Sequence, residues 1–341
     1  MEQKKSILFI VNPISGTANK ELILKDIEER LDKNRFNYAI AKTCYSGHGA
    51  VLASMAAENG TDIVVAIGGD GTVNEVARSL VHSNTALGII PCGSGNGLAR
   101  HLQIPLEYSK AIQLINECSI RALDYGKING RPFFCTCGMG FDATISFKFA
   151  ASIRRGILSY LENSLKEISR YKPETYTLED ETNKFTGKAF LITCANASQY
   201  GNNAYIAPEA SMSDGLMDIT FIEPFTALEA PGLAYQLFNG TLSNNSKIHM
   251  FRSRLIHITR ENAGVIHCDG DPFLAEQTVT IEIFPHQLNT IINCHTEIKP
   301  SNLLQTIAES FSYLVNTRNN AIGHGIKQIN KDIRKKLPFK L

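Results

Sequence analysis

The sequence predicts an α/β domain built on a parallel sheet, followed by an antiparallel β-domain. Three observations carry that reading. In the first third of the chain, short apolar runs alternate with segments of helical spacing. The runs lack polar alternation, which is the pattern of strands covered on both faces. Glycine-rich turns stand at the ends of several of these runs, and beyond about residue 124 the pattern changes to the two-residue alternation of sheets with one buried face. At 341 residues the chain is long for one core, and two domains are the default.

The elements follow in order. Ile7–Val11 is an apolar run ending in Asn-Pro, a strand and then a turn. Glu21–Leu31 has helical spacing, Asn37–Ala41 reads as a strand, and Gly49–Glu58 as a helix. Ile63–Ile67 is apolar throughout, Thr72–Val81 is helical, and Ala86–Pro91 is a fourth strand with a helix after it at Leu98–Leu102. Later strands are expected at Thr175–Leu178, Ala189–Ala195, Met217–Glu223, Leu255–Thr259 and Thr278–Phe284. A long helix over Ala143–Ser169 and another over Thr226–Phe238 interrupt them. The division is 1–125, 126–298 and a tail, 299–341, in which Leu303, Leu304, Ile307, Phe311, Leu314 and Val315 share one helical face, with packing back on the first domain as one arrangement.

Composition narrows the function classes. The chain is 43% apolar and 20% charged with a formal net charge of +1, so no global basic field points to nucleic acid. No run of about 18 apolar residues marks a membrane span. The run Ile7–Val11 is short for a signal peptide, and a cytoplasmic chain is expected. The eight cysteines are scattered, with Cys135 and Cys137 spaced C-x-C, and read as buried reduced thiols. The tail from Lys327 to Leu341 carries six cations against Asp332 alone. It is either a solvated segment or a patch drawn to anionic lipid at about 1 kcal/mol per cation.

The strand ends carry the chemistry. Gly68, Gly69 and Gly71 surround Asp70 at the carboxyl end of the third strand, where ligands bind in a parallel sheet. Successive N–H groups at a helix start form an anion nest, and phosphate is its natural guest. The fourth strand ends in Gly93, Ser94, Gly95, Asn96 and Gly97, and the first in Asn12, Pro13, Ser15 and Gly16. Three such loops at one sheet edge make a nucleotide-sized site. A carboxylate repels phosphate, so Asp70 points to a divalent cation that offsets the phosphate charge.

The strings NPISG, GGDGTVNEV and GSGNGLA, in that order and joined by GFDA at 140–143 and CDGDPF at 268–273, resemble the diacylglycerol kinase catalytic family of bacterial lipid kinases, sphingosine kinases and ceramide kinases. GGDGT alone also occurs in NAD kinases and phosphofructokinases, whereas the full set, spread over about residues 5–298, is specific to the lipid kinases. The resemblance implies an α/β domain of the phosphofructokinase and NAD kinase kind plus an antiparallel β-sandwich. It implies ATP with Mg as cofactors, a hydroxyl of a membrane lipid (diacylglycerol or a sphingoid base) as acceptor, and work at the inner face of the membrane. The nucleotide site it implies falls on Asn12, Ser15, Gly16, Thr43, Gly68, Gly69, Asp70, Gly71, Thr72, Asn74, Glu75, Gly93, Ser94, Gly95 and Asn96.

Within that set Glu75 serves either to hold its loop or to face the nucleotide. Asp124 matches an acidic position near the catalytic metal, which Asp70 and Asp124 would hold through water. The family's usual Asp-Gly-Glu is Asp-Gly-Asp here, which makes Asp271 the general base, one methylene shorter, with Asp269 as its understudy. A structural metal is implied at Asp214 with carbonyls near Ser211 and Leu216, against a plain Asp-Gly turn. His48 reads as a nucleotide contact or as a capping or loop histidine. Arg154 and Arg155 read as headgroup contacts or a solvated face. The rival classes are a soluble-metabolite kinase of the NAD-kinase type and a non-catalytic lipid-binding module. Exposed sheet edges leave a homodimer open.

Overall fold

The computed structural model describes residues 3–16, 18–150, 167–168 and 170–294. The first half of the chain runs β1 (Lys5–Val11), α1 (Lys20–Arg30), β2 (Phe36–Lys42), α2 (His48–Glu58), β3 (Ile63–Gly68), α3 (Asp70–Leu80), β4 (Ala86–Pro91), α4 (Gly97–His101) and α5 (Tyr108–Glu117). Then come β5 (Ile120–Ile128), β6 (Arg131–Phe133), β7 (Thr136–Gly140), α6 (Phe141–Ala150), β8 (Glu174–Glu179), β9 (Lys184–Ala189), β10 (Leu191–Ala195) and β11 (Met217–Ile222). The described chain closes with α7 (Ala230–Asn239), β12 (Ile248–Ser253), β13 (Leu255–Arg260), β14 (Gly264–Cys268), β15 (Asp271–Ala275) and β16 (Thr278–Ile291).

Two sheets result. One has ten strands along the order β2-β1-β3-β4-β16-β13-β8-β9, with β5 and β6 attached through β16; the other has the order β12-β11-β10-β7-β14-β15. The pairings among β2, β1, β3 and β4 are parallel. Every residue of β3 and β4 is buried, as strands between two helix layers must be. The six-stranded sheet is antiparallel throughout. It packs on the antiparallel part of the first sheet: Met139, Ile192, Ile219 and Phe221 on one side meet Tyr176, Ile258, Ile281 and Ile283 on the other. Each such side chain contributes about 1.5–3 kcal/mol on burial.

β16 joins the parallel and antiparallel parts. It pairs antiparallel with β13 and β5, shifts register between Phe284 and Leu288, and touches β4 in parallel at Thr290. His286, in the shifted segment, has a φ of 55°.

Several elements differ from the sequence reading. The strand expected over Ala189–Ala195 is two strands in different sheets, and the chain crosses at Phe190, whose N–H donates to Ile222 O. β10 lacks polar alternation because Ile192 and Cys194 face the sandwich core while Leu191 and Ala195 face a second cluster with Phe141 and Leu233. The helix expected from Thr226 begins at Ala230, because the Glu229 carboxylate takes the Thr226 N–H and hydroxyl in a capping turn. α5 is a helix beyond those the sequence reading contains, with Ala111, Ile112, Leu114 and Ile115 as its buried face. Of the long helix over 143–169, the part from 151 to 166 lies outside the described residues, Arg154 and Arg155 included. The whole tail from 299, with its apolar face and basic run, lies outside them too. Cys92, Cys137 and Cys194 are buried, but Cys44 and Cys294 are exposed. Among the described residues no helix is long and apolar enough to cross a membrane.

Candidate functional site

Three turns follow β1, β3 and β4, and the parallel register carries all three to one edge. Two of their approaches are backbone on backbone, and the third is glycine against a carboxylate. A Cβ on Gly16 would fall 1.7 Å from Cys92 O, one on Gly69 3.2 Å from the Gly93 Cα, and one on Gly95 2.8 Å from an Asp70 carboxylate oxygen. Gly16 also has a φ of +63°. Glycine is therefore required here for close approach and, at Gly16, for conformation. A Cβ on Gly71 would meet nothing within 4 Å.

Asp70 is the first residue of α3. Its Oδ1 accepts the Gly97 N–H at 2.7 Å and its Oδ2 the Asn96 N–H at 2.9 Å, so it fastens the second loop to the third. Asn96 has a φ of 52°, and its side-chain amide bonds both N–H and C=O of Gly93. Ser94, between them, is exposed. Asn12 donates to the Thr72 hydroxyl at 3.0 Å, and Ser15 turns back on Asn12 O. The Thr43 N–H donates to Val11 O at the end of β2, beside the first loop. Asn74 gives its carbonyl to Arg78. α3 starts on Gly69 with no side-chain cap.

Glu75 holds its neighbour: Oε1 accepts the Gly47 N–H at 2.8 Å and Oε2 the Gly49 N–H at 3.1 Å, capping α2. His48 is the first residue of α2, with Nδ1 accepting the Cys44 N–H and its ring stacked on Tyr45. Two cations emerge that the sequence did not single out. Lys20 Nζ turns back on Ser15 O at 2.8 Å, and Arg78 lies on α3 one turn past Asn74.

The second half of the chain supplies the other wall. β14 and β15 form a hairpin whose two turn residues, Asp269 and Gly270, have φ of 49° and 86°, the conformation that favours an Asp-Gly turn. Asp271 is the first residue of β15 and exposed. Burial of part of its carboxyl raises its pKa, Arg78 opposes that and Glu75 adds to it, so the hairpin lies within electrostatic reach of α3. Asp269 is not an understudy for the base. Its oxygens accept the N–H groups of Phe134, Cys135 and Thr136 at 2.8, 2.8 and 3.0 Å. Burial pushes its carboxyl up to about 6 against those donors. Asp70 and Asp269 flank Cys135, whose thiol is raised by burial first and by both carboxylates after it.

Asp124 is joined elsewhere. It is fully buried, and its oxygens accept the Gly215 N–H at 2.7 Å and the His286 N–H at 2.8 Å. Its contacts are with the 211–216 loop and the shifted segment of β16, not with the glycine turns. In that loop Asp214 accepts the Leu216 N–H and Ser211 bonds Ser213, the pattern of a turn. Among the described residues no group of three or more His, Cys, Asp or Glu side chains is placed to hold a metal. One oxygen of Asp218 is nevertheless buried with no hydrogen-bond partner, while the other takes Arg252. Burial raises the Asp218 carboxyl; Arg252 opposes this, and Asp214 and Glu209 add to it.

The models of two families match the chain: the diacylglycerol kinase catalytic domain over residues 6–128, and the YegS C-terminal NAD kinase beta sandwich-like domain over 136–292. The chain belongs to the diacylglycerol kinase catalytic family. The first match holds the three glycine turns, and the second holds GFDA and the β14–β15 hairpin. A lipid kinase YegS-like protein of Yersinia pestis is 31% identical over 233 residues, 66% of this chain and 77% of the relative. A diacylglycerol kinase of Staphylococcus saprophyticus is 25% identical over 272 residues, 79% of this chain and 89% of the relative. A crystal structure of a diacylglycerol kinase from Bacillus anthracis superposes with a TM-score of 0.69 at 21% identity, covering 86% of this chain and 98% of that one, and shares the fold.

Proposed function

We propose that this protein is an ATP- and Mg²⁺-dependent lipid kinase that moves a phosphoryl group onto a hydroxyl of a membrane lipid, diacylglycerol or a sphingoid base. One observation carries the reading: the three glycine turns after β1, β3 and β4 meet at one sheet edge, where the Asp70 carboxylate fastens the second turn to the third.

The residues fit the cofactors. The glycine turns form a cradle that Cβ atoms would fill, and the N–H groups at the start of α3 have no side-chain cap. Both suit phosphate oxygens. Lys20 adds a cation at the Ser15 turn. Of the two carboxylates expected at a catalytic Mg²⁺, Asp70 is the one among the phosphate turns, and its remaining lone pairs would hold the ion through water. ATP with Mg²⁺ would supply the transferable phosphoryl group with its charge neutralised. Asp271 takes the proton of the acceptor hydroxyl at a carboxylate oxygen, and Arg78 keeps that carboxyl from rising further. Asp124 ties the 211–216 loop to β16, and the unpartnered Asp218 oxygen supports a structural cation in that loop with Asp214.

The partner is a lipid at the membrane surface, met from the cytoplasmic side, with no nucleic acid; a homodimer through an open sheet edge belongs to the same proposal. The test is transfer of labelled phosphate from ATP to diacylglycerol, monoacylglycerol, sphingosine, dihydrosphingosine, ceramide and undecaprenol, beside water-soluble acceptors. Label on a lipid that is lost in Asp271→Ala supports the proposal. Label only on a soluble acceptor overturns it in favour of a metabolite kinase. ATP binding without transfer overturns it in favour of a binding module.

A further inference from the structure

A buried polar chain spans the space between the phosphate turn of β4 and the Asp271 hairpin. Asp142, in the first turn of α6, is 5% exposed, and His267, in β14, is 2% exposed. Asp142 Oδ2 collects three side chains: the Thr193 hydroxyl at 3.0 Å, the Tyr200 hydroxyl at 3.1 Å and His267 Nε2 at 3.0 Å. Its Oδ1 accepts the Ala143 N–H. On the far side of the imidazole, the Gly270 N–H points at Nδ1 at 3.4 Å, so the ring proton sits on Nε2 and is given to Asp142. Gly270 lies between Asp269 and Asp271, so His267 props the turn from which Asp271 emerges.

Tyr200 reaches the other way. It belongs to the segment 198–203, which grips the glycine turn after β4. The Asn202 N–H donates to Gly95 O at 3.1 Å, and Arg100 joins Gly95 O to the Asn203 side chain. The Ser198 N–H donates to His101, a ring that burial keeps neutral with a pKa lowered to about 4. A Cβ on Gly201 would meet the Gly95 backbone at 3.0 Å, and one on Gly138 would meet Asp142 at 2.8 Å and His267 at 3.1 Å. The chain is thus packed without slack from Gly95 through Tyr200, Asp142 and His267 to Gly270.

We propose that Tyr200, Asp142 and His267 are positioning residues that set the distance between the phosphate turn and the Asp271 carboxylate. The inference rests on the kinase reading above, with Asp271 as base. None of the three needs to touch the acceptor. They act by holding two walls of the site, one from each half of the chain, in register, and a misplacement of about 1 Å at such a site costs about 100-fold in rate.

The experiment is steady-state lipid phosphorylation by the full chain in Tyr200→Phe, His267→Ala, His267→Gln, Asp271→Asn and the Tyr200→Phe/Asp271→Asn pair. Tyr200→Phe removes one hydroxyl and little volume. It is expected to lower kcat by about 10- to 100-fold while leaving KM for ATP unchanged. On the Asp271→Asn background it is expected to add nothing, because its effect passes through that carboxylate. His267→Gln, which keeps an N–H for Asp142, is expected to recover part of what His267→Ala loses. Amide exchange at Gly270 and Asn202 is expected to quicken in Tyr200→Phe while the rest of the protein keeps its protection. Additive losses in the pair, or a KM for ATP that rises in step with the fall in kcat, overturn the inference while leaving the kinase reading intact. No transfer by the wild type to any lipid overturns both.

Discussion

Asp269 and Asp271 stand two residues apart on one hairpin and serve opposite ends. Asp269 is turned inward onto three backbone N–H groups, while Asp271 opens β15 and reaches solvent beside α3. The same Asp-Gly-Asp string therefore holds one carboxylate fastened to backbone and one open to solvent, the one we propose as the base.

Removing the first should damage stability. Asp269→Ala orphans three backbone donors at about 1–3 kcal/mol each, and a fall in the urea midpoint checks it. The pH dependence has a definite sign. The folded-state pKa, about 6, lies above the ordinary 3.8, so the stability this group contributes is full below 3.8 and is lost as pH rises through about 6. The stability of the wild type relative to Asp269→Asn is expected to fall across that window. A difference that stays flat, or rises, would count against the assignment.

Removing the second should damage turnover and spare the fold. Asp271→Asn is expected to lower kcat by about 10²–10⁴-fold, the usual contribution of a general base, with ATP affinity retained. Arg78 lowers the Asp271 pKa, so Arg78→Gln should raise it. The base works above its pKa; the acid limb of kcat/KM must then move to higher pH. A limb that stays in place would remove Asp271 from the rate profile.

Much of this was legible in the chain. The parallel half could be read because β3 and β4 are buried on both faces and carry no polar interruption, and the glycines at 16, 69 and 95 could be read as close approaches. The Asp269-Gly270 turn could have been read as a hairpin from its Asp-Gly pair between two strands, as could Asn129-Gly130 between β5 and β6. Other features had no local signal. Glu75 caps residues 26 and 28 positions before it, and His267 meets Asp142 across 125 positions. Such pairings exist only after the sheets have formed. The split at Phe190 was hidden because a strand buried by two clusters looks like the continuation of its neighbour.

Glu75 should act on α2. Glu75→Gln keeps one acceptor and loses the charge that faces the helix N-terminus, so a loss of about 1 kcal/mol is expected. Circular dichroism melts give the size. Because Glu75 stands on the helix that starts in the Asp70 turn, ATP affinity is expected to weaken with it while Asp271-dependent chemistry persists. Unchanged ATP binding in a destabilised protein would make Glu75 a cap alone.

The 211–216 loop and the start of β11 should respond to a cation independently of turnover. Asp218 carries a buried oxygen without a partner, and Asp214 and Glu209 add negative field to a carboxyl already raised by burial. The structural cation proposed there would satisfy the orphan oxygen and offset that field, and would therefore bind the folded chain better than the unfolded one. Stability then rises by about 2.7 kcal/mol at a concentration 100 times the dissociation constant. Thermal melts in EDTA and in increasing MgCl₂, without ATP, are expected to show that rise in the wild type and in Asp70→Asn, and to lose it in Asp218→Asn and Asp214→Asn. A rise that vanishes in Asp70→Asn instead would place the ion at the phosphate turns. No rise in the wild type would leave the orphan oxygen to water.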